Sequence, residues 1–181
     1  SSLPGPYGIG GFGWNAYDFV DFLASCKQHY WQILPLTTTS YGDSPYQSFS
    51  ARAGNPNFID FAELIEAGYL EQRDIDGVYL GSDPSNVDYG AIFGGRRQIL
   101  DRAAERFAAD KPADFDDFIR ANEDWLIPYC EFMTVKAECG LKAFWEWPAE
   151  LRTRGEASAK VCADHPARML YHQMTQYFFD R

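Results

Sequence analysis

The chain lacks the features that would put it in a membrane or on nucleic acid. No apolar run approaches the roughly 20 residues of a bilayer span, and the opening Ser1-Ser2-Leu3-Pro4 has neither the basic start nor the apolar centre of a secretory signal. Positive charge is scarce: 16 Lys and Arg stand against 26 Asp and Glu, a net charge of −10. Nucleic acid and anionic membranes both require clustered Lys and Arg, so this balance argues against either partner and fits a neutral one better. The expected location is the cytoplasm.

Metal and nucleophile chemistry also lack their usual residues. Cys26, Cys130, Cys139 and Cys162 are widely spaced within helical patterns, forming neither a CxxC redox pair nor a zinc ligand group. Reduced, mostly buried thiols are expected. His29, His165 and His172 have no HExxH context and no neighbouring Ser or Cys motif, which leaves structural or surface roles. No metal or organic cofactor is implied. Internal repeats and low-complexity tracts are absent as well.

What is present is apolar and aromatic material, 46% and 17% of 181 residues, enough for one sizeable core. Ala16, Phe19, Val20 and Leu23 recur at helical spacing behind Asn15 as a possible N-cap, predicting a helix over 15–28. Asp60 and Glu63 resemble a capping box opening a short helix that Gly68 would end. A long helix should follow Asp88 and stop at Lys111-Pro112. Breaks are expected near Ala121 and Gly140. Between them Trp125, Leu126, Tyr129, Phe132 and Met133 form a core stripe, with Pro128 tolerable in a first turn. A tryptophan-rich turn over 144–148 and a charged segment precede a last helix from Pro166. That helix has no stop signal before Arg181, and Ser1 opens inside a loop, so the chain is expected to be a segment of a longer protein.

The stretch YWQILPLTTTSYGDSPYQSFSARAGNP, residues 30–56, is the most informative. Trp31, Ile33, Leu34 and Leu36 read as a short apolar strand, with Pro35 where pairing would end. Beyond it Tyr41, Tyr46 and Phe49 stand among Gly42, Asp43, Ser44, Pro45, Gln47 and Ser48. Flat rings suit the C–H face of a pyranose, and hydroxyl, amide and carboxylate groups suit its hydroxyls, so this is a candidate sugar-binding rim. Asp43 can support its own turn or meet a substrate hydroxyl; a catalytic role is disfavoured because no second acid lies near it in sequence. Ser44 is a hydroxyl partner, Tyr46 can contact sugar or pack, and Phe49 suits the core.

GIGGFG places Gly8, Gly10 and Gly13 in a GxGxxG pattern, but Pro4, Gly5 and Pro6 occupy the place of the strand that a dinucleotide site requires. Ile33 stands where its acidic ribose ligand would be. A turn before the first helix is the better reading.

SLPGPYGIGGFG, YWQILPL, SYGDSPYQSFSARAGNP, the WL..Y..F pattern from Trp125 to Phe132, WEWP from Trp145 to Pro148, and Gln176-Tyr177-Phe178-Phe179 together resemble the 4-α-glucanotransferases of glycoside hydrolase family 77, the amylomaltases or disproportionating enzymes. Their order and spacing extend the resemblance over nearly the whole chain. GDSPYQSFSA is the most specific block, and residues 70–111 are the least. Gly11 departs from the aspartate usual after GIG.

The resemblance implies an α/β fold: the N-terminal part of a (β/α)₈ TIM barrel, interrupted by a largely helical insertion, with a mostly helical segment here. On that map residues 1–59 hold the loop after strand 1, the first helix, strand 2 and the substrate loop, while 60–181 form the insertion. The implied reaction transfers α-1,4-glucan segments between chains of maltooligosaccharide, starch or glycogen with retention, which needs two carboxyl groups roughly 5 Å apart. The family takes both from later strands, so catalytic residues are expected beyond Arg181 and none is assigned here. Tyr46 matches the tyrosine that lines the family's glucan cleft, and Tyr41 suits an outer glucan site. Tyr41, Asp43, Ser44 and Tyr46 are therefore the candidate substrate-binding residues. A non-catalytic carbohydrate-binding or interaction module, or an α-amylase-like hydrolase fragment, is the alternative. The isolated segment is expected to have negligible turnover.

Overall fold

In the computed structural model the described residues are 3–40, 42–83 and 85–181. The first element is helix α1, Trp14–Ser25, which begins one residue before its expected start. Its N-cap is Gly13, not Asn15. Asn15 lies inside the helix, and its Nδ2 donates to the Pro4 carbonyl at 3.0 Å. A Cβ at position 13 would lie 1.8 Å from Oδ2 of Asp60, so the glycine lets the chain entering α1 touch the start of the next helix.

Asp60 caps α2, Phe61–Glu66, by accepting from the Ala62 amide at 2.9 Å. A one-turn helix α3, Gln72–Ile75, follows. Asp74 of α3 accepts from the Glu71 amide at 2.8 Å and from Arg106 at 2.5 Å, which holds its carboxyl below the usual range. Arg106 belongs to α4, Tyr89–Ala109, which opens as expected with Asp88 accepting from Ala91. The next helices are α5, Phe115–Glu138; α6, Glu156–Asp164; and α7, Pro166–Phe179, with short 3-10 turns at Pro56–Phe58, Phe144–Glu146 and Ala149–Leu151.

Helices α4, α5 and α7 pack together, and α6 covers α5. Phe107 of α4 sits at the centre of the main core, with the rings of Tyr69, Phe115, Tyr177 and Phe178 at centroid distances of 4.8–6.0 Å. Arg96 occupies an otherwise apolar position on the buried side of α4. Its Nη1 and Nη2 donate to the carbonyls of Tyr7 (3.1 Å) and Ile59 (2.5 Å), and its guanidinium lies 4.0 Å from the Phe61 ring centre. Burial lowers its pKa to about 10, so it remains charged at neutral pH and fastens the opening loop to the helical body.

Four further expectations are corrected. Helix α5 continues through the break expected at Ala121 and carries Pro128 in its interior rather than in a first turn. Packing against α6 and α7 compensates for the amide that proline cannot donate. The charged segment before Pro166 contains α6, which was not expected. Residues 30–36 form no strand: the described residues contain only an isolated bridge, Thr37 to Gly54. A strand needs a ladder partner, and the segment beside this one reaches only its last residues. Of the four free cysteines, Cys130 is buried, Cys139 and Cys162 are half-buried, and Cys26 is exposed, so the thiols are less buried than expected.

No described helix is long and apolar enough to cross a membrane, and the described residues contain no group of three or more His, Cys, Asp or Glu placed to hold a metal ion.

Candidate functional site

The candidate loop leaves the body after Leu36 and returns at Gly54. Its two stems are joined by the Thr38 amide donating to Ala53 O at 3.0 Å and the Asn55 amide donating to Leu36 O at 2.9 Å. Higher up, the hydroxyls of Thr38 and Ser48 lie 3.1 Å apart. The tip closes on itself: the Ser40 amide donates to Gln47 O at 2.9 Å, Asp43 to Ser40 O at 3.2 Å, and Gln47 to Ser44 O at 3.1 Å. This irregular segment is therefore built from defined turns.

One turn brings Asp43, Ser44 and Tyr46 together. Asp43 has φ 54°, a left-handed conformation that aspartate tolerates better than most residues. Turn support comes from Ser44, whose Oγ accepts from the Tyr46 amide at 3.3 Å, whereas no hydrogen bond engages the Asp43 side chain among the described residues. Tyr46 is 75% exposed, so its ring face is open to solvent. Phe49 instead turns inward against Phe132, at 6.0 Å, with Lys136 Nζ 4.9 Å from its ring centre. Tyr41, the remaining candidate, lies outside the described residues.

At the foot of the loop, Leu36 borders an open groove of about 310 Å³ walled by Phe12, Trp31, Phe58 and Phe179, with Tyr17, Asp60 and Glu63 along it. Burial first, and then the Asp60 charge, raise the Glu63 pKa; Glu63 in turn raises that of Tyr17, whose hydroxyl donates to it at 3.3 Å. The pair does not form a free acid/base couple. Asp60 is engaged in capping α2 and Glu63 in the tyrosine contact.

The sequence reading missed the residues that anchor the loop. Gln176 of α7 is buried and bonds both backbone groups of Gly54, at 2.7 and 3.0 Å. Arg52 pairs with Asp124 of α5 at 2.9 Å on the surface. Gln176 is one of three buried polar residues of α7, with His172 and Thr175, so no local signal singled it out.

A family model described as 4-alpha-glucanotransferase, glycoside hydrolase family 77, matches residues 1–181. The chain belongs to that family. It is 51% identical over 182 residues to a 4-alpha-glucanotransferase of Streptococcus pneumoniae serotype 4, covering 99% of this chain and 36% of that protein. It is 39% identical to the 4-alpha-glucanotransferase of Thermus thermophilus, covering 100% and 36%. Among solved structures, amylomaltase from Streptococcus agalactiae in complex with acarbose superposes with a TM-score of 0.91 at 45% identity, covering 98% of this chain and 37% of that one. The family resemblance carried by SYGDSPYQSFSARAGNP and the other blocks is thus established. The chain spans a little over a third of the length of these relatives.

Proposed function

We propose that the protein is a 4-α-glucanotransferase that moves α-1,4-glucan segments between chains with retention, and that these residues build part of its glucan cleft. The observation that carries this reading is the 45% identity and TM-score of 0.91 with an acarbose-bound amylomaltase, in a chain whose YGDSPYQ loop holds an exposed tyrosine beside a serine and an aspartate. In this reading the Tyr46 ring is a platform for the apolar face of a glucose unit. The Ser44 hydroxyl and the Asp43 carboxylate accept from, or in the case of serine also donate to, sugar hydroxyls. Tyr41 serves an outer part of the same chain of sugars.

None of these groups performs bond cleavage. The two carboxyl groups that a retaining reaction needs come from residues beyond Arg181, one attacking the anomeric carbon and the other protonating the leaving oxygen. Residues 1–59 begin a (β/α)₈ barrel, and 60–181 form a mostly helical insertion. The exposed apolar residues Val20, Phe22, Tyr30, Ile33 and Leu34 support that division, since a barrel would cover them and pair residues 30–36 as a strand. A cytoplasmic location belongs to the same proposal, as do partners limited to maltooligosaccharides, starch or glycogen.

Incubating the full-length protein with maltotriose tests the activity. Glucose together with longer maltodextrins is expected. Steady loss of all oligomers to glucose and maltose would mean hydrolysis, and an unchanged substrate would favour a non-catalytic binding module.

A further inference from the structure

Gln176 spends both ends of its side chain on one backbone residue. The Gly54 amide donates to its Oε1 at 2.7 Å, and its Nε2 donates to the Gly54 carbonyl at 3.0 Å. A primary amide offers the same donor and acceptor as a peptide group, so this side chain acts as a one-residue ladder partner. Gly54 is also the bridge partner of Thr37 and is therefore held between the outgoing loop stem and α7. The approach is close enough to demand glycine: a Cβ at position 54 would lie 2.0 Å from Cδ1 of Phe179, three residues after Gln176.

The other ties between loop and body differ in kind. Arg52 and Asp124 meet where both side chains are more than half exposed, a setting in which an ion pair contributes little. The contact between Phe49 and Phe132 is apolar and non-directional. The Gln176 amide is 2% exposed as a residue, and losing it would leave the Gly54 N–H and C=O buried without partners. Among the described residues it is the directional, water-excluded fastening of a segment with no helix or strand of its own.

We propose that Gln176 is a positioning residue for the glucan-binding loop: its clamp on Gly54 sets where Tyr46, Ser44 and Asp43 stand relative to the helical body. The inference rests on the proposed function for its substrate. It assigns Gln176 no contact with sugar or with the reacting atoms. A loop that binds glucan equally in ground and transition states affects KM more than kcat, so loosening it raises KM.

The test uses the full-length protein. Gln176→Met keeps the side-chain length and volume while removing both hydrogen bonds. At a temperature where the variant is fully folded, KM for maltotriose should rise about tenfold while kcat stays within about twofold. Amide exchange over residues 42–49 should accelerate, while that of α5 is unchanged. In the wild-type protein the Gly54 amide should already exchange slowly, and this needs no variant. Rapid exchange at Gly54 overturns the proposal, as does a folded Gln176→Met protein with wild-type KM and loop exchange. If the wild-type protein leaves maltotriose untouched, the proposed function fails, while the Gly54 exchange result still decides whether the clamp exists.

Discussion

Helices α1 and α4 are both amphipathic, yet they meet opposite fates. On α4, Ile92, Ile99, Leu100, Ala103 and Phe107 are buried, the last four in the main core that α4 shares with α7, although Tyr89 and Phe93 in its first turns are exposed. On α1 only Ala16 is buried, while Trp14, Val20 and Phe22 remain exposed, as do Tyr30, Ile33 and Leu34 just after it. Clustered exposed apolar side chains of this kind are what a face that packs against another surface would show. The helical body closes a core around Phe107, although Phe93 and Trp145 stay exposed on it; the N-terminal region leaves the apolar side of α1 open, as expected if a barrel completes it. The candidate loop lies at the junction, rooted beside the open groove and clamped to the body by Gln176.

The contrast can be broken most sharply at Phe107. Phe107→Ala should lower the unfolding free energy by about 3–5 kcal/mol, because it empties the centre of a fully packed aromatic cluster. A loss below about 1 kcal/mol in chemical denaturation would mean that the body is not tightly packed.

A second probe of the body is pH. His172 lies on α7 beside Tyr129 of α5 and Tyr171, with Arg97 of α4 and Arg168 of α7 nearby; burial, then these two cations, push its pKa down to about 3. Its folded pKa is depressed, so the contribution of the neutral ring is fully present above about 6.5, the unfolded value, and is lost as pH falls toward 3. Stability should therefore decline over that window, and His172→Asn should flatten the decline. Identical slopes for the two proteins would count against a neutral buried ring.

The smallest effect should come from the open face. Phe22→Ser in the 181-residue chain should change unfolding free energy by no more than about 0.5 kcal/mol, since the ring is 59% exposed. In the full-length protein the same change should cost about 2–4 kcal/mol if a barrel covers it. Equal effects in both would separate α1 from any barrel.

The helices that were legible in the sequence carry local signals: Asp88 opens α4, Asp60 opens α2, and Pro166 stands at the first position of α7. Those that were missed depend on distant partners. Pro128 argues for a helix start in the sequence, but tertiary packing carries α5 through it. Residues 30–36 have a strand's composition, yet a ladder needs a neighbour that composition cannot supply. At the loop, the grouping of Asp43, Ser44 and Tyr46 was legible because all lie within one turn. The Gln176 clamp was not, because it joins positions 122 residues apart.

The most direct measurement of the central claim is the kinetic effect of Tyr46→Ala in the full-length protein with maltotriose as substrate. If the loop is a wall of the glucan cleft, KM should rise about tenfold while the products remain glucose and longer maltodextrins, because a stacking platform is lost and the acids are untouched. A wild-type KM in this variant would contradict the assignment of the loop to glucan binding.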